Sequence, residues 1–252
     1  MLHLLFLFYC GKRAITISSR SVPEHPRSSV LPLWLLIVLV LVAGGIVSFL
    51  LLEGAIWLVQ AIFGNRIHEW ENEFQQGLRA YHGEPLRSLM LFFTYLGSFY
   101  PTLFVSVGFA LILIRLRQYR EAIMLLPTMG GAWLLNTLLK LHFMRPRPEL
   151  EFWAPASGYS FPSGHATIAA AMYGMLFFIW ARYRKQQGKR MLPAIVCGIV
   201  LIMTIGITRI YLGVHYPTDV LAGFFSGFWW FAACAYCLFL WQTRRPQQPS
   251  YR

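Results

Sequence analysis

Six stretches of this chain, residues 31–52, 86–114, 122–139, 163–181, 191–208 and 218–241, are too uniformly apolar to form helices with one face in water. Each approaches or exceeds the ~20 residues that an α-helix needs to cross a hydrocarbon core of about 30 Å. Composition agrees, with 57% of residues hydrophobic and 13% charged, against about 25% charged in a typical soluble domain. The expected fold is all-α: a polytopic membrane helix bundle of about six transmembrane helices, forming one domain over residues 31–241.

Between the first two stretches, Ile67, Trp70, Phe74, Leu78 and Tyr81 recur at spacings of three and four with charges between them. That period predicts an amphipathic helix lying in the membrane interface; a loop helix packed on the bundle is the alternative. Gly97, Ser98 and Pro101 interrupt the second stretch. Gly130 and Gly131 in the third, and Gly223 and Gly227 in a G-x-x-x-G of the last, predict close helix contacts. Residues 1–30, apolar at the start and polar from residue 14, and the polar, basic residues 242–252 are expected to be tails outside the bundle. The short apolar run that opens the first is followed by its basic residues, the wrong order for a secretory signal.

Lysine and arginine set the orientation of such a bundle. Fifteen of the 22 fall on the tails and on the loops around residues 115–120 and 182–190, and seven on the opposite ends. Both tails are therefore expected in the cytoplasm of a multi-pass cytoplasmic-membrane protein. The net charge of +12 is then a topology signal with some attraction to anionic lipid heads, and no nucleic-acid partner is expected. Cys234 and Cys237 form a C-x-x-C inside an apolar run and read as packing residues.

The outward ends gather the chemistry. Lys140, Arg145, Arg147 and Arg209 run against the positive-inside trend on the same side as His142, His165 and His215. Within KLHFMRPRP, Lys140 supplies a point charge and Arg147 a planar fork suited to a phosphate. In SFPSGHA, Ser163 and Gly164 open a helix whose free N–H groups suit an anion, with His165 at its mouth. In TRIYLGVHYPTD, Arg209 adds a cation, and Asp219, the chain's one aspartate, follows His215 by four residues. A carboxylate that orients a histidine makes it a good base or nucleophile. Each cluster alone also fits a plainer account: lysine and arginine snorkelling to head groups, a structural helix start, a wet loop. A metal site built from His142, His165 and His215 would set three cations beside a dication, so no metal is expected.

Taken together, K-x6-R-P (Lys140, Arg147, Pro148), P-S-G-H (Pro162 to His165) and [ST]-R-x5-H-x3-D (Thr208, Arg209, His215, Asp219) resemble the three-part signature of the type 2 phosphatidic acid phosphatase (PAP2) family. That family also includes bacterial undecaprenyl-pyrophosphate and phosphatidylglycerophosphate phosphatases, glucose-6-phosphatases and soluble vanadium haloperoxidases. Thr208 stands where the family usually has serine. The resemblance implies a membrane phosphatase without cofactor, acting on a lipid phosphate or pyrophosphate at the outer face. His215 would be the nucleophile and form a phosphohistidine. His165 would be the acid and then the base, and Asp219 the partner of His215. Lys140, Arg147, Ser163, Gly164 and Arg209 would hold the phosphoryl oxygens. Arg145 and His142 fall outside the motif and are expected at head groups or the membrane surface. A lipid phosphotransferase using the same residues, or a transporter of anionic lipid or phosphate, remains the alternative.

Overall fold

The computed structural model describes residues 31–64, 66–149 and 153–244. The expected N-terminal tail, and the C-terminal tail from residue 245, lie outside the described residues. The compact unit that begins at Leu33 is helical, with no strand among the described residues. Its helices are α1 (Leu33–Phe63), α2 (Arg66–Arg79), α3 (Glu84–Leu96), α4 (Phe99–Arg115), α5 (Tyr119–Phe143), α6 (Gly164–Gln186), α7 (Leu192–Tyr211) and α8 (Pro217–Thr243).

α1, α5, α6, α7 and α8 are each long and apolar enough to cross a membrane. α3 and α4, bent by 54° at Gly97 and Ser98, make a sixth crossing when taken as one broken span. The chain is a multi-pass membrane protein. α1 runs eleven residues past its expected end. Glu53 does not stop it, because the carboxylate pairs with His142 of α5 at 2.5 Å.

α8 is the central element, packed on α1, α5 and α6, while α7 lies against α6 and α3. The G-x-x-x-G of α8 is what lets it touch α6. A Cβ on Gly223 would come within 2.6 Å of the Ser163 carbonyl oxygen, and one on Gly227 within 2.3 Å of the Thr167 carbonyl oxygen. In α5, Gly131 admits the Trp230 ring, whereas Gly130 faces open space, so one glycine of the pair makes the expected contact. The Trp230 indole N–H donates to the Pro127 carbonyl at 3.1 Å, satisfying a polar group where lipid offers no partner. Cys234 and Cys237 are buried free thiols in α8.

The two ends of the bundle differ. At one, Arg120 donates to the Trp241 carbonyl, Arg182 to Gln242, and Gln242 to Glu121. At the other meet the end of α5 and the starts of α6 and α8, joined by the end of α7.

α2 is amphipathic as expected, and its polar face is the one turned toward the protein. Glu71 and Gln75 are buried, while Trp70 and Phe74 are 48% and 41% exposed. Their rings lie 5.5 Å apart, forming an aromatic outer face. Tyr81, assigned to this helix by its spacing, lies beyond the helix end.

Candidate active site

α5 ends where Met144 turns left-handed, with φ of 46°. The following Arg-Pro-Arg-Pro runs as a loop that carries no helix. From the last turn of α5, Lys140 donates to the Tyr159 and Ser160 carbonyls. Arg147 spends its fork on backbone: Nε on the Gly158 carbonyl at 3.0 Å, Nη2 on Ser157 at 2.8 Å, and Nη1 on Val214 at 2.7 Å. The loop after α5 is thereby tied to the turn after α7.

That turn, with Gly213 at φ of 71°, buries His215. The four-residue step to the first turn of α8 brings His215 Nδ1 to 3.4 Å from Asp219 Oδ2. The same oxygen accepts the Tyr216 N–H at 2.9 Å, an N-terminal cap of α8. On the other side of the ring, Nε2 lies 3.3 Å from Arg147 Nη1. A guanidinium has only donors, so Nε2 is the acceptor and the ring proton belongs on Nδ1, toward Asp219. Burial, together with Arg209, Arg147 and Lys140, holds the imidazole pKa well below 6.5 and keeps the ring neutral. Burial also lowers the Arg147 pKa, which Asp219 partly offsets.

Ser163 caps α6, and its N–H donates to the Asp219 carbonyl at 2.9 Å, joining the starts of α6 and α8. Asn136 of α5 steadies this corner by donating to the Pro162 carbonyl and the Thr167 hydroxyl. His165 Nε2 lies 3.2 Å from Ser98 Oγ at the α3–α4 break, within the field of Arg209, His215, Arg147 and Lys140. Arg209 is buried and donates Nη1 to Thr94 at 2.7 Å. Two buried polar atoms here have no hydrogen-bond partner among the described residues: Ser163 Oγ and Arg209 Nε. Thr208, the departure from the usual serine, donates back to the Ile205 carbonyl of its own helix.

The structure thus brings together all eight site residues expected from sequence: Lys140, Arg147, Ser163, Gly164, His165, Arg209, His215 and Asp219. Beside them lies a cavity of about 490 Å³, with His165, Arg209, Ser98 and Thr94 at its polar part and Leu91, Phe92, Tyr95, Ala154 and Pro155 along the rest. Phe92 and Tyr95 are themselves largely exposed on the outside of the bundle.

One expectation changes. Arg145 does not extend to the membrane surface: Nη1 lies 2.7 Å from Asp219 Oδ1, and Nη2 lies 2.5 Å from Glu71 Oε2. His142 pairs with Glu53 and packs edge-on against Phe49 and Phe143. Among the described residues no three His, Cys, Asp or Glu side chains are grouped so as to hold a metal ion. Sequence reasoning missed Glu71, Thr94 and Ser98. The signal available for Glu71 was its place, with Gln75, on one face of α2.

A sequence model of the PAP2 superfamily matches residues 121–243, which contain all three motifs. The chain is 31% identical to phosphatidylglycerophosphatase B of Bacillus subtilis, across 68% of this chain and 84% of that protein. It is 38% identical to the lipid A 1-phosphatase of Rhizobium johnstonii over a shorter stretch, 38% of this chain and 39% of the other. The solved structure of a transmembrane PAP2-type phosphatidylglycerolphosphate phosphatase from Bacillus subtilis matches with a TM-score of 0.71 at 27% identity, covering 80% of this chain and 98% of that chain. In motifs, helix arrangement and relatives alike, this chain belongs to the PAP2 superfamily.

Proposed function

We propose that this protein hydrolyses a lipid phosphate or lipid pyrophosphate through a phosphohistidine, at the outer face of the cytoplasmic membrane. The observation that carries the reading is the seating of His215: Nδ1 on Asp219 and Nε2 turned toward Arg147 among the cations. A neutral imidazole with its proton fixed on Nδ1 offers the Nε2 lone pair to phosphorus.

In the first step the Nε2–phosphorus bond forms as the bond to the lipid oxygen breaks. His165 gives that oxygen a proton, and Asp219 stabilises the charge that appears on His215. In the second step His165 takes a proton from water, whose oxygen attacks phosphorus and frees His215 and inorganic phosphate. Lys140, Arg147 and Arg209, with the Ser163 hydroxyl and the Gly164 N–H, bind the phosphoryl oxygens, where transition-state charge develops. Ser163 Oγ and Arg209 Nε, without a partner among the described residues, are in keeping with that role. The scheme calls on no metal or cofactor.

Relatives named for phosphatidylglycerophosphate and lipid A phosphate hydrolysis support a charged head on an apolar tail as the substrate class. The apolar part of the cavity, along Leu91, Phe92 and Tyr95, suits the start of such a tail. The outer-face assignment rests on the excess of lysine and arginine at the opposite ends. The test is phosphate release by purified protein from phosphatidylglycerophosphate, phosphatidate, lysophosphatidate and undecaprenyl pyrophosphate, with His215→Ala as control. Turnover of one or more lipids, lost in the variant together with covalent phosphate labelling, is expected. Turnover that survives His215→Ala removes the phosphohistidine, and transfer to an acceptor lipid without free phosphate makes the protein a phosphotransferase.

A further inference from the structure

α2 delivers a carboxylate to this site from outside the three motifs. Glu71 is fully buried, and a carboxylate out of water is tolerated only when paired and hydrogen-bonded. Its Oε2 lies 2.5 Å from Arg145 Nη2. Its Oε1 accepts the Thr218 N–H at 3.2 Å and the Thr218 hydroxyl as well. Arg145 then reaches on, with Nη1 2.7 Å from Asp219 Oδ1 and 2.8 Å from Thr218 Oγ1, its guanidinium lying 4.3 Å above the Tyr216 ring. His68, exposed but one turn before Glu71 on the same face, lies 3.6 Å from Glu71 Oε2 and 3.2 Å from Arg145 Nη2.

The geometry has a direction. Asp219 uses Oδ2 for His215 and for the Tyr216 N–H, which leaves Oδ1 to fix the rotation of the carboxylate. Arg145 supplies that second point. A guanidinium is a rigid planar fork, so where one nitrogen is pinned by Glu71 the other is placed for Asp219. From the same face of α2, Gln75 donates to the His215 carbonyl at 2.8 Å. The charges act in the same sense. With Arg145 shared between two carboxylates, Asp219 keeps more of its negative charge for the cation that forms on His215.

We infer that Glu71 and Arg145 are positioning residues for this reaction: the interfacial helix carries in Glu71, which sets Arg145, which holds Asp219 against His215. The inference rests on the roles proposed above for His215 and Asp219. It makes the seating of α2 on the bundle a condition for turnover, separate from any contact that α2 has with substrate.

The test uses the full chain in detergent or lipid nanodiscs, with phosphatidylglycerophosphate and a short water-soluble phosphate ester as substrates. Glu71→Gln, Arg145→Gln, the double variant and His215→Ala are compared. Rate constants are taken per active site from the phosphoenzyme burst. Glu71→Gln is expected to lower kcat by about 10- to 100-fold on both substrates, the scale of a small misplacement of reacting groups, with KM changed less than threefold. Because Glu71 acts through Arg145, the double variant is expected to be no slower than Arg145→Gln alone. An unchanged rate constant with a smaller burst would mean that Glu71 only holds the fold, and would overturn the inference. So would losses that multiply in the double variant. Turnover in His215→Ala would overturn the phosphohistidine reading and this inference with it, whereas an inactive His215→Ala beside a fully active Glu71→Gln overturns the positioning role alone.

Discussion

His215 Nε2 lies 3.3 Å from Arg147 Nη1, while the Nδ1 of the same ring lies 3.4 Å from Asp219 Oδ2. The ring therefore sits between a cation and an anion, each on the nitrogen where its chemistry counts. Changing the anion should separate binding from turnover. Asp219→Asn keeps the shape but cannot stabilise an imidazolium. Turnover is expected to fall by about 10²- to 10⁴-fold, in the range of acid–base contributions, with KM nearly unchanged, as read from steady-state phosphate release.

Arg147 is a structural tie between two loops and, in the proposed scheme, a phosphate ligand. Lysine has a point charge in place of a fork and cannot reach the Ser157, Gly158 and Val214 carbonyls together. Arg147→Lys is expected to lower kcat/KM by about 10²-fold, two to three kcal/mol of transition-state stabilisation. A loss under threefold would show that charge alone suffices.

The pH dependence follows from the cations around His215. Burial lowers its pKa most and these cations lower it further, so the ring is neutral at pH 6.5 and loses its lone pair only under more acid conditions. The acid limb of kcat/KM that belongs to His215 should lie below pH 6.5. Removing a cation in Arg147→Gln should let that pKa rise, moving the limb toward higher pH. The substrate's own phosphate ionisation near pKa 6 is common to both enzymes, so the difference between the two profiles reports the histidine.

Three cations, and no dication, neutralise the phosphoryl group in this scheme. A chelator is expected to leave the rate unchanged, and vanadate, a phosphate mimic, to inhibit. Loss of turnover in chelator, restored by one divalent ion, would contradict the scheme.

The contact of α8 with α6 makes a stability prediction. A methyl group on Gly227 would lie 2.3 Å from the Thr167 carbonyl oxygen, backbone that cannot yield cheaply. Gly227→Ala is expected to cost about 1–3 kcal/mol, the usual scale of overpacking, as measured by unfolding in detergent. A Gly130→Ala control, which meets nothing within 4 Å, should not destabilise.

The motif residues were legible because ions in apolar sequence are expensive and alternating spans bring their ends to one side. Lys140, Arg147, His165, Arg209, His215 and Asp219 could be grouped on that ground without any contact map. Glu71 could not. A helical period reveals two faces but not which one meets protein, and here the aromatic face is exposed while the polar one meets the site. Arg145 was hidden by its neighbour. Two residues apart in one loop, it and Arg147 reach different atoms of the same pair, Asp219 Oδ1 and His215 Nε2. In the sequence Thr94 and Ser98 belong to an apolar run and its interruption, whereas the break at Gly97 turns them onto Arg209 and His165.

The cavity beside α3 carries a kinetic consequence. Its apolar lining includes Phe92 and Tyr95, which also form part of the bundle's outer surface. On the proposed lipid-phosphate reading, a ligand arriving there meets the protein within the plane of the leaflet, where its effective concentration is a mole fraction among neighbouring lipids. Diluting such a ligand with inert lipid slows its capture, while adding water does not. For this protein the natural concentration axis of a saturation curve is surface composition.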